Sequence, residues 1–209
     1  MADHNVLAGS LAVAEIVASD VFADFMAEHY PGRPPLLAIV AQEVNTREGE
    51  IMGMFIKLPL KRGLSMDETI AAIHEQGGLV NVPHPFSRIA HRRPREQELE
   101  RYVDRLDLIE VYNARSVWRA DDRTAMDFAR RYKLGRTAGS DAHFRSEIGR
   151  GYVWMERFDN TPASFLSASR HAVPGGRKTP PAAPFATWLR NARGAFNDIR
   201  LQLRLTGRP

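Results

Sequence analysis

Cysteine is absent from the 209 residues, so disulfides are excluded. Any metal centre must then be built from His, Asp and Glu. No apolar run approaches the length needed to span a bilayer. The opening residues, Met1-Ala2-Asp3-His4-Asn5, show no basic region leading into an apolar stretch and do not read as a secretory signal. No internal repeat is visible. These absences together set the expectation of a cytoplasmic protein.

Hydrophobic residues make up 44% of the chain and charged residues 26%, a balance that suits one globular domain with a sizeable core. The formal net charge of +4 is unevenly placed. Residues 170–209 carry eight basic residues and one acidic residue, Asp198; removing them from the totals of 29 and 25 leaves 21 basic and 24 acidic residues in 1–169. The basic character therefore belongs to the tail and says little about ligands of the main domain.

Residues 8–29 carry apolar side chains at three- and four-residue spacing, which predicts a helix, broken by Pro31 to Pro35. The apolar runs Leu36 to Ala41 and Ile51 to Ile56 read as strands. Ser65-Met66-Asp67-Glu68 is a capping box that opens a helix, and Gly77-Gly78 closes it. Leu79 to Val82 and Leu108 to Tyr112 read as further strands, with a basic loop from Arg88 to Arg95 and a polar helix over about 95–105 between them. A helix over 117–133, a short strand into Gly139, a strand from Gly151 to Met155 and a helix capped by Thr161-Pro162 complete the domain. Strands alternating with helices predict a parallel α/β architecture. Residues 171–184, rich in Pro and Gly, read as a linker. In 185–209, Phe185, Trp188, Leu189, Phe196, Ile199 and Leu203 share one face of a basic amphipathic helix.

Ionisable and polar residues follow the predicted strands: Glu43, His84, Asn113, Asp141 and His143. In Gly139-Ser140-Asp141-Ala142-His143, Asp and His two apart on a tight turn can face one point, and both are good ligands for zinc or manganese. His84, between Pro83 and Pro85, is rigidly presented outside any helix. Glu43 suits a bridging carboxylate and Glu50 a further oxygen ligand. Each of these alone has a plainer explanation, a loop histidine packed on Phe86 or a solvated charge. Their order along the chain gives them weight.

That order resembles the polymerase-and-histidinol-phosphatase (PHP) superfamily of metal-dependent phosphoesterases. Ala2-Asp3-His4-Asn5 is similar to its second motif and Gln42 to Glu50 to its third. Gly77 to Phe86 resembles the segment with its metal histidine; Ile109 to Arg115 and Gly139 to His143 complete the pattern. The resemblance implies a distorted (β/α)7-type barrel over residues 1–170 around two or three divalent ions, with Zn, Mn or Fe equally suited. It implies that His4 and His143 share one metal and that Glu43 bridges two others. His84 would then bind one of that pair and Asp141 the other, with Glu50 standing where many members have a histidine. Arg88, Arg92, Arg93 and Arg145, with Asn113 and Arg115, would hold the substrate phosphate. The family's first motif, His-x-His, is not found, so the barrel is expected to be incomplete at its N-terminal end, without its first βα unit, and to be a poor enzyme in that form.

The expected activity is hydrolysis of a phosphate ester on a small metabolite, a nucleotide or a short oligonucleotide. The alternative is a non-catalytic PHP module. The basic tail adds two partner expectations, nucleic acid along its cationic face or a second subunit against its apolar face.

Overall fold

The structure is a computed structural model that describes residues 2, 4–90 and 92–180. The expected C-terminal helix over 185–209, and the end of the linker before it, lie outside the described residues. The helices are α1 (Ala8–Val17), α2 (Asp20–His29), α3 (Met66–Glu75), α4 (Glu96–Arg101), α5 (Arg119–Arg131) and α6 (Pro162–Ser169). The strands are β1 (Ala41–Asn45), β2 (Glu50–Met54), β3 (Leu79–Val82), β4 (Leu108–Asn113), β5 (Gly135–Gly139), β6 (Gly151–Trp154) and β7 (Val173–Gly176). Among these residues no helix is long and apolar enough to cross a membrane.

Five strands form one sheet in the order β1-β2-β3-β4-β5, and β6 and β7 form an antiparallel ribbon. The sheet is mixed, which corrects the expectation of a parallel one. β1 and β2 are a hairpin, β2 is antiparallel to β3, and β3, β4 and β5 are parallel. The connection between β1 and β2 is too short for a parallel crossover, so the second strand must run back. Two reversals leave β1 parallel to β3. The C-terminal ends of β1, β3, β4 and β5 and the start of β2 therefore share one end of the sheet. The sheet is open rather than closed into a barrel, and His4 adds a parallel bridge to Glu43 at its β1 edge.

Alternation along the strands sorts the two faces. Val44, Ile51, Val80, Val82, Ile109 and Val111 point to one face and pack with Ile70 and Ile73 of α3, Leu99 of α4 and Phe128 of α5. Each such fully buried aliphatic contributes about 1.5–3 kcal/mol. The opposite face is divided along its length. One end is apolar, where Leu79 and Leu108 meet Phe165 of α6. The other carries Glu43, Asn81, Glu110 and Thr137, with Thr137 donating to Asn81 Oδ1 at 3.0 Å. This polar end is the one that strands β1, β3, β4 and β5 run towards.

Local signals hold in α3. The Ser65 side chain accepts from the Glu68 N–H while the Glu68 carboxylate accepts from the Ser65 N–H, a complete capping box. Gly77, at φ +70°, ends the helix. Three expectations are corrected. The helix over 8–29 is two helices, because Ser19 caps a new start by accepting from Phe22 N–H. The run Leu36 to Val40 is not a strand. Pro34 and Pro35 lack the N–H a ladder needs, Leu36 is 54% exposed, and the hairpin register places the strand at 41–45 instead. Val173–Gly176, assigned to the linker, pairs with β6 from Gly151↔Gly176 to Trp154↔Val173. Lys178 then bonds the Asn113 carbonyl and Asp122, and Thr179 N–H bonds the Ala114 carbonyl, so this stretch is fastened to the domain.

Candidate metal centre

Glu43 lies on β1 itself rather than beyond it, two pairs in from the turn of the hairpin, and Glu50 opens β2. Both face the polar end of the second sheet face. His84 follows β3, held on one side by Pro83 and Pro85 and by its own N–H, which donates to Glu110 Oε2 at 2.6 Å. Asp141 and His143 follow β5. Asn5, His84 and Asp141 have φ of 57°, 30° and 47°. Left-handed backbone at non-glycine residues costs energy, and its clustering at one end of a sheet marks a site the rest of the fold holds in place.

Four side chains converge first. Glu43 Oε1 is 3.5 Å from His4 Nδ1 and 3.4 Å from His84 Nε2, and His84 Nε2 is 3.8 Å from Glu50 Oε2. One donor atom each from His4, Glu43 and Glu50 lies within 4.8 Å of the others, close enough for one cation to be shared. Asn5 fixes the His4 segment to β1, its N–H donating to Glu43 O and its Oδ1 accepting from Asn45 N–H. The second group sits alongside. His143 Nδ1 is 3.5 Å from Asp141 Oδ1, and Asn113 Nδ2 lies 3.4 Å from Asp141 Oδ2 and 3.0 Å from Glu110 Oε2. Glu110 thus joins the two groups through His84 N–H and Asn113.

The electrostatics show strong coupling. Burial works to raise the Glu43 pKa, but the His84 imidazole, with the charges of His4 and His143, outweighs it and holds the carboxylate below its ordinary range. Burial works to lower the His84 pKa, yet contact with Glu43 and the charges of Glu110 and Asp141 raise it to about 9. Glu50 is pushed up by burial and by the Glu43 charge, and burial pushes Glu110 up to about 7. Glu43 Oε1 is enclosed and lies within ion-pair distance of two imidazoles without a well-formed hydrogen bond, and His84 Nδ1 is enclosed as well. A carboxylate oxygen that faces imidazoles and a second carboxylate is matched by a divalent cation. The oxygen and imidazole donors fit Zn²⁺, Mn²⁺ or Fe²⁺.

The expected site residues separate into those the structure gathers and those it does not. His4, Glu43, Glu50, His84, Asn113, Asp141 and His143 are gathered. Arg92, Arg93 and Arg145 are exposed on neighbouring loops. Arg88 pairs with Asp121 at 3.2 Å and lies over Trp118. Arg115, expected to hold phosphate, is instead buried against Glu147, and its Nη1 donates to both carboxylate oxygens at 3.0 Å. Two residues were missed, Glu110 and Glu147. Glu110 was legible as a lone charge inside the buried strand Leu108-Ile109-Glu110-Val111; Glu147 had no local signal.

The cluster of His, Asp and Glu lies at the carboxyl ends of the parallel strands, the end of an α/β fold where sites are usually built. A family model described as PHP-associated matches residues 120–173, the stretch that includes Asp141 and His143. An uncharacterised protein of Methanocaldococcus jannaschii is 31% identical over 143 residues, 62% of this chain and 59% of that protein. A second uncharacterised protein of the same organism is 43% identical over 77 residues, 36% of this chain and 42% of that protein. The chain thus spans about half the length of these relatives. Among solved structures, a two-domain protein of Bacteroides vulgatus, described as containing a predicted PHP-like metal-dependent phosphoesterase, shares the fold with a TM-score of 0.53 at 15% identity, covering 79% of this chain and 52% of that one. The family match thus rests on residues 120–173, and the fold is shared with a protein described as PHP-like.

Proposed function

We propose that the protein is a metal-dependent phosphoesterase. The observation that carries this reading is the convergence of His4, His84 and Glu50 on the enclosed carboxylate of Glu43. His4, Glu43, Glu50 and His84 would hold one part of a site for two or three divalent ions, and Asp141 and His143 the other. Bound divalent ions supply charge neutralisation to a phosphate ester and lower the pKa of a water. Glu43 stays ionised at neutral pH because the neighbouring imidazoles hold its proton off. Glu110 fixes the His84 backbone and the Asn113 amide, so these ligands are set before substrate arrives. Arg92, Arg93 and Arg145, exposed on neighbouring segments, would meet the phosphate oxygens, and Asn113 stands between the two ligand groups. In the same reading the open five-stranded sheet is the core of a distorted (β/α)7-type barrel, and the His4–Glu43 bridge marks the edge where it continues.

The substrate in this reading is a small phosphorylated metabolite, a nucleotide or a short oligonucleotide. The test is elemental analysis of the purified protein together with a panel of phosphate monoesters and diesters, assayed with Mn²⁺, Zn²⁺ and Fe²⁺. Hydrolysis that requires the metal and is lost in Glu43→Gln supports the reading. Full metal loading with no hydrolysis across the panel would turn it into a non-catalytic metal-binding module.

A further inference from the structure

Asp141 and His143 lie on a turn after β5 that has little regular structure of its own, and Asp141 stands at φ 47°. The Asp141 main chain answers one ring nitrogen of His143, with Nδ1 3.0 Å from the Asp141 carbonyl. The main feature holding the other side of the turn is Glu147. Its Oε2 accepts the His143 N–H at 2.7 Å and the Phe144 N–H at 3.1 Å. Both carboxylate oxygens also accept from Arg115 Nη1. The two side chains are 6% and 3% exposed. A carboxylate this deeply buried needs a counter-charge and several donors, and here it has both.

Arg115 is fixed in turn. Its N–H donates to Asn113 Oδ1 at 2.9 Å, and the amide nitrogen of the same Asn113 faces Asp141 Oδ2 and Glu110 Oε2. The β4 loop and the β5 loop are therefore joined by side chains, through Asn113 to Asp141 and through Arg115 and Glu147 to His143. On sequence Arg115 is a weaker candidate for holding phosphate than Arg88, Arg92, Arg93 and Arg145. Its burial and its carboxylate partner give it a different task.

We propose that the buried Arg115–Glu147 pair is a positioning device that holds the Asp141–His143 turn in metal-binding geometry, and that Arg115 does not bind the substrate phosphate. The proposal rests on the metal reading above for its consequence, though not for its geometry. The pair acts through His143 and Asp141 rather than on substrate. Removing only Glu147 would strand a buried guanidinium, so double variants separate the roles. Arg115→Met with Glu147→Leu removes the charges in balance, which buried pairs often tolerate, but takes away the carboxylate that accepts from the His143 and Phe144 N–H groups. Arg115→Met with Glu147→Gln removes the charges and keeps an acceptor.

The experiment measures Mn²⁺ affinity by calorimetry, melting temperature, and amide hydrogen exchange of His143 and Phe144 in the metal-free full chain. The expected result is that R115M/E147L folds, exchanges faster at both amides and binds Mn²⁺ about 10–100-fold more weakly. R115M/E147Q should restore slow exchange and most of the affinity. A folded R115M/E147L with wild-type Mn²⁺ affinity would overturn the proposal, as would free exchange of the His143 amide in the wild-type protein. Should R115M/E147L fail to fold, wild-type exchange and the R115M/E147Q affinity decide in its place. Should the wild type bind no Mn²⁺, the metal reading fails, while the exchange rates still decide whether the pair fixes the turn.

Discussion

His84 Nε2 lies 3.4 Å from Glu43 Oε1, although β2 separates their strands and 41 positions separate them in sequence. The hairpin explains the meeting. β1 and β3 run the same way on either side of β2, so a residue on β1 and one just past β3 reach the same end. If this contact is half of a metal site, Glu43→Gln and His84→Ala will each cut metal affinity by more than the roughly 10–100-fold typical of residues behind the ligands. Titration of the variants with Mn²⁺ checks this; wild-type affinity in either would remove that residue from the site.

The metal-free protein should lose stability as pH rises. His84 titrates at about 9 in the fold against an ordinary 6.5, and Glu110 at about 7 against 4.5. Both hold protons that the unfolded chain has released. The Glu110 contribution is full below 4.5 and lost by about 7; that of His84 is full below 6.5 and lost through about 9. Glu43, shifted down, acts with the opposite sign, but its contribution is lost only as pH falls below its ordinary 4.5. The melting temperature of the metal-free protein should therefore fall between pH 5 and 9, and a rise would contradict these assignments.

Cation binding should show the reverse trend. A ligating His84 must lose its proton, so below pH 9 binding releases it, and affinity should climb by up to about tenfold per pH unit. Calorimetry in buffers of different ionisation enthalpy measures the released proton. Affinity independent of pH between 6 and 8 would show that His84 is not a ligand.

Gly139 has no room for a side chain. A Cβ there would stand 2.2 Å from Glu110 Oε1, in the strand that delivers Asp141. Gly139→Ala should shift the Glu110 carboxylate, whose other oxygen accepts from the His84 N–H, at a cost of about 1–3 kcal/mol in overpacking and with weaker metal affinity. Denaturant unfolding and metal titration of this variant test both halves.

Ser65→Ala serves as the contrast. It removes the capping box of α3, which packs on the sheet face opposite Glu43 and Glu50, and should cost about 0.5–2 kcal/mol with metal affinity intact. An equal loss of metal binding would show that the site depends on general stability rather than on local geometry.

The elements written in local chemistry were legible. A capping box, a glycine stop and strands bounded by turns need only neighbours in sequence, and α3, β3, β4 and α6 follow them. The His84, Asp141 and His143 turns were legible for the same reason. What failed depended on pairing across distance. The apolar run Leu36 to Val40 is as hydrophobic as a core strand, yet hairpin register moves the strand onto Gln42, whose side chain bonds both the Leu60 carbonyl and its N–H. Val173-Pro174-Gly175-Gly176 has the composition of a linker, and only β6 makes it a strand. Arg115 shows the same limit at the site, since nothing near it in sequence announces Glu147, 32 positions away.

The central claim, that Glu43 and His84 belong to a divalent-metal site, is tested most directly by anomalous diffraction from crystals grown with Mn²⁺ or Zn²⁺. The account predicts an ion within about 2.0–2.2 Å of a Glu43 oxygen and a His84 ring nitrogen, with His4 or Glu50 completing its shell. Saturating metal with no anomalous peak between Glu43 and His84, and the 3.4 Å contact left intact, would contradict it.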